Sequence, residues 1–298
     1  MAMLFPLLAV LIWAANTVVS KAAAQVLDPA AISFYRWLLA ALILTPFCLR
    51  PLWRLRHELR PWLGKFLLLS ALGMVMFQCL AYYAAHNTTA TNMGVITALV
   101  PLLGLVLNAL AFRQPVGGQA WFGVAVSLAG VLYLLGHGNP LGLIANGINH
   151  GDALMLSGAA AYALYGILLR RWAPPFGAWL NLYLQVGMAV LLLAPLTLTA
   201  DSMAIPARGV GLVLFAGIGS SVLAAYLWMR GIQRLGSERT AIFMNLLPLF
   251  TALMASATLG ETIHSYHWLG GGMILLGVVL GQGMLRLKTA GRPAFVNK

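Results

Sequence analysis

Ten apolar stretches, each about twenty residues long and nearly free of charge, follow one another through the chain. They cover residues 3–25, 30–49, 62–84, 89–112, 119–136, 153–172, 178–199, 209–231, 238–259 and 267–286. In lipid a backbone group without a partner is costly, so segments that cross a bilayer must satisfy their own hydrogen bonds as helices. Barrel strands would be about half this length. Charge agrees: 8% of the 298 residues are charged, against roughly 25% in a soluble domain. Six carboxylates (Asp28, Glu58, Asp152, Asp201, Glu238, Glu261) cannot cover a water-facing surface. The expected fold is an all-α integral membrane protein of ten transmembrane helices, with the lipid bilayer as its solvent.

The net charge of +12 suits nucleic acid in amount but not in placement. With the N-terminus inside, fifteen of the eighteen Lys and Arg fall on the cytoplasmic side, leaving Lys21, Arg36 and Arg208. That is the positive-inside pattern, with both termini cytoplasmic. No nucleic-acid partner is expected. The opening "MAMLFP" lacks the basic start of a secretory signal, so the first stretch is taken as a span. Cys48 and Cys79 lie in different segments, and the six histidines form no metal-binding pair. Neither a metal nor a cofactor is implied, and no acid–base or nucleophile constellation marks a catalytic site.

The second half repeats the first. A shift of 147 residues carries Pro101 onto Pro248, Trp121 onto Trp268, Gly123 onto Gly270 and Gly130 onto Gly277. In the earlier helices a shift of 149 carries Trp13 onto Tyr162, Asn16 onto Tyr165, Lys21 onto Arg170 and Pro46 onto Pro195. Each half holds five spans, an odd number, so two fused copies lie in opposite orientations. The charge bias swaps loops accordingly. This predicts two inverted-topology five-helix repeats around a central cavity, an arrangement suited to alternating access. The expected division is 1–136 and 152–286, joined by 137–151 and followed by a cytoplasmic tail, 287–298.

The stretches "LIWAANTVVSK", "SFYRWLLA", "ALMLSGAAAYALYGILLRR", "LLPLFTALMASATLGE" and "WLGGGMILLGVVLGQG" resemble the drug/metabolite transporter superfamily. Within it the chain is most similar to EamA-type ten-helix transporters of the YddG-type amino-acid exporter group. The half-one position matching Glu261 departs from the pattern, being Gln114. The resemblance implies a carrier in the bacterial inner membrane that exports aromatic or other apolar amino acids and extends to paraquat-like compounds. It also implies a cavity walled by helices 1–4 and 6–9, with 5 and 10 peripheral.

Polar side chains deep in membrane helices face the bundle interior or a wet cavity. On helix 1, Trp13, Asn16, Thr17 and Ser20 share one face. Gln78, Cys79 and Tyr82 follow on helix 3, Asn92 on helix 4, Tyr162 and Tyr165 on helix 6, Ser221 and Tyr226 on helix 8 and Asn245 on helix 9. Amides and hydroxyls bind both ends of an amino acid, and aromatic rings supply apolar and cation–π contact. Trp13, Asn16, Gln78, Cys79, Tyr82, Asn92, Tyr162, Tyr165, Tyr226 and Asn245 are the candidate substrate contacts.

Arg36 and Lys21 lie near helix ends, where snorkelling to the interface is the favoured reading. The alternative for Arg36 is attraction of a substrate carboxylate or a gate. Glu261 closes helix 9 in a structural or gating role. With no carboxylate near the membrane midplane, gradient-driven movement is preferred over proton antiport. Pro101 and Pro248 each free a carbonyl, on Thr97 and Met244, and are candidate hinges. The rival readings are a multidrug cation exporter and, across class, a membrane enzyme. The glycines of helix 10 permit close packing within one chain or between two, and a monomer is expected.

Overall fold

The computed structural model describes residues 2–113, 117–141 and 148–281, with the side chains of residues 237 and 238 excepted. Regular structure among these is helical throughout. In chain order the helices are α1 (Leu4–Ala23), α2 (Pro29–Arg54), α3 (Arg56–Ala84) and α4 (Ala90–Thr97 continued by Val100–Phe112). They continue with α5 (Gly118–Leu135), α6 (His150–Trp172), α7 (Ala178–Thr199), α8 (Ala207–Leu235), α9 (Arg239–Leu259) and α10 (Ser265–Gly281). Eight of the described helices are long and apolar enough to span a membrane, or nine if the two parts of α4, bent by 41°, form one span. The apolar α10 has 17 described residues. The expected extension to 286, the tail 287–298, Gln114 and residues 142–147 of the connection lie outside the described residues.

Local chemistry sets several starts. Asp28 caps α2 by accepting from the Ala30 N–H at 2.7 Å, with Pro29 in the first turn, where its missing N–H is not needed. Thr89 caps α4 and Asn149 caps α6 in the same way. Helix α2 differs from expectation in running to Arg54, past residue 49. Arg50 and Arg54 therefore sit on a helix and not in a loop, and Pro46 and Pro51 lie inside it.

The repeat reappears in backbone irregularities. A tight-to-wide change in helix α3, a π segment at Ala71–Met76, falls under the 147-residue shift on 218–223, within the π segment Phe215–Leu223 of α8. The break before Val100 falls on a 3-10 turn, Phe243–Leu246. Pro101 and Pro248 do not interrupt a continuous helix. Each stands in the first turn of a new segment, Val100–Phe112 or Leu247–Leu259, where proline is tolerated.

Helices α5 and α10 form the closest packed pair. A Cβ on Gly123 would lie 2.5 Å from the Gly277 carbonyl oxygen, and one on Gly130 would lie 2.7 Å from that of Gly270. These two contacts are images of each other under the shift. Between them Ser127 donates to the carbonyl of Ile274, its own image, at 2.8 Å. Such reciprocity is that of a two-fold axis passing between Ser127 and Ile274. Gly270 and Gly277 of α10 are thus used within the chain. Elsewhere α1 packs on α8 and α9, α6 on α3 and α4, and α2 on α7.

Candidate functional site

The most constrained polar group is the Arg36 guanidinium. It does not snorkel: Arg36 is 4% exposed and turned into the bundle. Its Nε donates to Ser221 Oγ at 2.8 Å and its Nη2 to Ser220 Oγ at 3.0 Å. Its Nη1 reaches Tyr82 OH at 3.2 Å and Asn16 Oδ1 at 3.5 Å. All four partners are neutral oxygens, drawn from α1, α3 and α8. The cause is packing on α8. Gly217 lets that helix press on α2, since a Cβ there would lie 3.1 Å from the Arg36 carbonyl oxygen. The π segment to which Gly217 belongs, Phe215–Leu223, turns Ser220 and Ser221 together toward the guanidinium. It also presents the Ser220 carbonyl to Trp13 Nε1 at 3.2 Å. Trp13 in turn packs on Trp228, with ring centroids 5.3 Å apart.

A second cluster lies between α3 and α6. Phe77 and Tyr162 rings sit 4.6 Å apart, and Tyr162 and Tyr165 rings 5.2 Å apart. Gly73 admits the Tyr165 ring, which a Cβ there would meet at 2.7 Å. Gly73 belongs to the π segment of α3. One residue of each matched pair meets a π segment, Trp13 that of α8 at the Ser220 carbonyl and Tyr165 that of α3 at Gly73, while Asn16 lies against Arg36 and Tyr162 against Phe77. Buried Gln78 neighbours Phe77 on α3.

Other expected contacts are placed apart. Cys79 packs in an apolar cluster with Trp37 and Val186. Asn92 donates to Asp152 Oδ1 at 3.4 Å, beside Thr88 Oγ1, which donates to the same oxygen. Tyr226 is 38% exposed and stacks on Trp179. Asn245 is half-buried in the 3-10 turn of α9. Thr17 and Ser20 return their hydroxyls to the α1 backbone, at Trp13 and Asn16.

Glu261 closes one end of the bundle. Its carboxylate accepts from the Ala90 N–H at 2.7 Å, the Thr91 N–H at 3.0 Å and the Thr91 hydroxyl at 2.7 Å. An anion on the first N–H groups of α4 complements both the orphan donors and the helix dipole. Lys21 is also held inward, donating to the Ala85 carbonyl at 2.6 Å. Asp152 at the same end is 2% exposed, because Gly151 brings the start of α6 against the Ala84 carbonyl. At the opposite end a cavity of about 390 Å³ is lined by Asn108, Ile167, Arg170 and Arg171.

Ser220, Asp152 and Trp228 were not among the candidates. Ser220 stands within "AGIGSSVLAA", whose small residues allow close approach, but nothing in that pattern shows which helix approaches.

The EamA-like transporter family matches residues 1–136 and 149–281. The chain is 27% identical over 237 residues to the uncharacterized transporter YyaM of Bacillus subtilis, covering 78% of this chain and 77% of that one. An Archaeoglobus fulgidus transporter is 28% identical over 283 residues, covering 92% and 94%. The inner membrane transporter YedA of Escherichia coli is 24% identical over 276 residues, covering 91% and 87%. A solved crystal structure superposes with a TM-score of 0.65 at 18% identity, covering 97% of this chain and 99% of its own, a likeness of fold.

Proposed function

The chain belongs to the EamA-like transporter family and is a multi-pass membrane transporter, and from that premise we propose that it exports neutral amino acids, aromatic and apolar ones first, by alternating access. One observation carries the reading. A buried guanidinium ringed by hydroxyls and an amide lies in the same bundle as two aromatic groups, Trp13 with Trp228 and Phe77 with Tyr162 and Tyr165. The first group suits the polar end of an amino acid and the second its apolar side chain.

Movement down the solute gradient is the accompanying proposal. The hydrogen-bond partners of Arg36 include no carboxylate that could carry a coupled proton. The proposed setting is a bacterial inner membrane with cytoplasmic termini, as the positive-inside pattern and the likeness to YedA support. The rival, export of organic cations, is weakened by the same site: a fixed positive charge within the bundle repels a lipophilic dication such as paraquat.

Purified protein in liposomes is expected to exchange labelled phenylalanine or leucine without an imposed proton gradient. Robust flux of a lipophilic cation with none for any amino acid would reverse the choice.

A further inference from the structure

The proposed amino-acid site has a cation but no matching anion, and this carries an inference about what the site reads. Resting on the transporter reading above, we infer that Arg36 with Asn16, Tyr82 and Ser220 forms a carboxylate clamp, so that the substrate class is amphipathic monocarboxylates, with the amino group optional.

The chemistry follows from how the donors are spent. A buried guanidinium without an anion is costly, and neutral hydrogen bonds offset that cost only in part. Two of its four bonds are short, to Ser221 and Ser220, and fix the fork against α8. The two on Nη1 are long, 3.2 Å to Tyr82 and 3.5 Å to Asn16. A carboxylate oxygen can replace these weaker acceptors, gaining a charge-assisted bond in their place.

The ring of partners also faces an anion with the right polarity. Tyr82 and Ser220 give their oxygen lone pairs to Arg36, which leaves each hydroxyl hydrogen to donate elsewhere. Asn16 likewise presents its carbonyl oxygen to Arg36, leaving the amide N–H groups. Ser221 differs, because its hydroxyl already donates to the Ala216 carbonyl at 2.9 Å. One cation and three side chains with hydrogens left to donate thus meet around Arg36, from α1, α2, α3 and α8. No carboxylate belongs to this ring to hold an ammonium. The α-amino group of an amino acid therefore finds only aromatic faces and neutral oxygens, while its carboxylate finds a dedicated partner.

The repeat sharpens the point. Under the 149-residue shift Arg36 falls on Gln185, which is also buried but donates to its own helix at the Asn181 carbonyl. One half supplies the charge and the other a neutral amide, so the site binds one carboxylate and has a direction.

The test is competition against labelled phenylalanine in proteoliposome counterflow, with phenyllactate and phenylalaninamide as competitors. Both keep the benzyl group; the first keeps the carboxylate and loses the amine, and the second does the reverse. Phenyllactate is expected to compete, and phenylalaninamide to need about tenfold more or worse. Arg36→Gln is expected to bring the two competitors within about twofold of each other. Should Arg36→Gln fail to fold, Tyr82→Phe keeps the charge and is expected to narrow the gap only in part. Equal competition by both compounds in the native protein would overturn the clamp. Phenyllactate uptake without phenylalanine uptake would uphold the clamp and overturn the amino-acid reading.

Discussion

Helices α1 and α6 hold matching places in the two repeats but keep different company. Each packs on the other half as the symmetry requires, α1 on α8 and α9, α6 on α3 and α4. Helix α1 also touches its own half, at residues 77–84 of α3 and 90–97 of α4. Helix α6 makes no comparable contact with the corresponding parts of α8 and α9. The matched cations differ too. Lys21 is tied to the end of α3, whereas its image Arg170 is exposed and lines the cavity at the opposite end. The bundle is therefore drawn together at the Glu261 end and parted between α6 and α8–α9 at the Arg170 end. One five-helix unit is present in two shapes, and exchange of those shapes between repeats is the motion that the proposed alternating access would use.

The seam of α5 and α10, where the repeats agree, should be the least forgiving place. A Cβ on Gly277 overlaps the Gly123 carbonyl, which its helix fixes, and the Ser127 hydroxyl, which is bonded to the Ile274 carbonyl. Gly277→Val is expected to abolish the monodisperse folded species in fluorescence-detected size exclusion. Gly130→Val should do the same, because its Cβ would meet the Gly270 carbonyl in the image contact. Tolerance of one and not the other would break the two-fold account of the seam.

At the Glu261 end, where the repeats differ, the effect should be graded. Glu261→Gln removes the charge from three hydrogen bonds to α4, a loss of about 1–2 kcal/mol, or roughly five- to thirtyfold in an opening equilibrium. In a background with Cys48 and Cys79 replaced by alanine, the readout is modification of Ser20→Cys by a membrane-impermeant maleimide. Ser20 is 2% exposed on α1 near this end. Faster modification with Glu261→Gln is expected; an unchanged rate would mean that the carboxylate does not hold this end shut.

The helices were legible because lipid leaves the backbone few choices, and the likeness of the two halves because "NLLPLFTAL" and "ALVPLLGLVL" repeat one unit. The repeat also picked out Trp13, Asn16, Tyr162 and Tyr165, of which Trp13 and Tyr165 pack on the π segments of the opposite half. Arg36 was misplaced for a physical reason. A lone arginine near a helix end has two solutions, outward to the interface or inward to neutral donors and acceptors. The choice is made by Gly217 and the π segment of α8, 179 or more residues away in sequence. Asp152 was passed over for a like reason: only the approach of α6 to the Ala84 carbonyl buries it.

The smallest effect should separate the two prolines. In the observed shape α4 is bent by 41° ahead of Pro101, while α9 passes through its 3-10 turn as one span. Restoring an N–H at 101 allows a bond to the Thr97 carbonyl and favours a straighter α4. Pro101→Ala should therefore weaken the observed shape and raise modification of Ser20→Cys severalfold. Pro248→Ala adds a bond at the 3-10 turn of an α9 that already runs as one span and should leave that rate within about twofold, since the gain is of order 1 kcal/mol or less and is shared by both shapes. The asymmetry is the informative quantity. Equal responses would show that the bend in α4 is a fixed packing feature, and the two repeats would then differ in their contacts without differing in the shape of this helix.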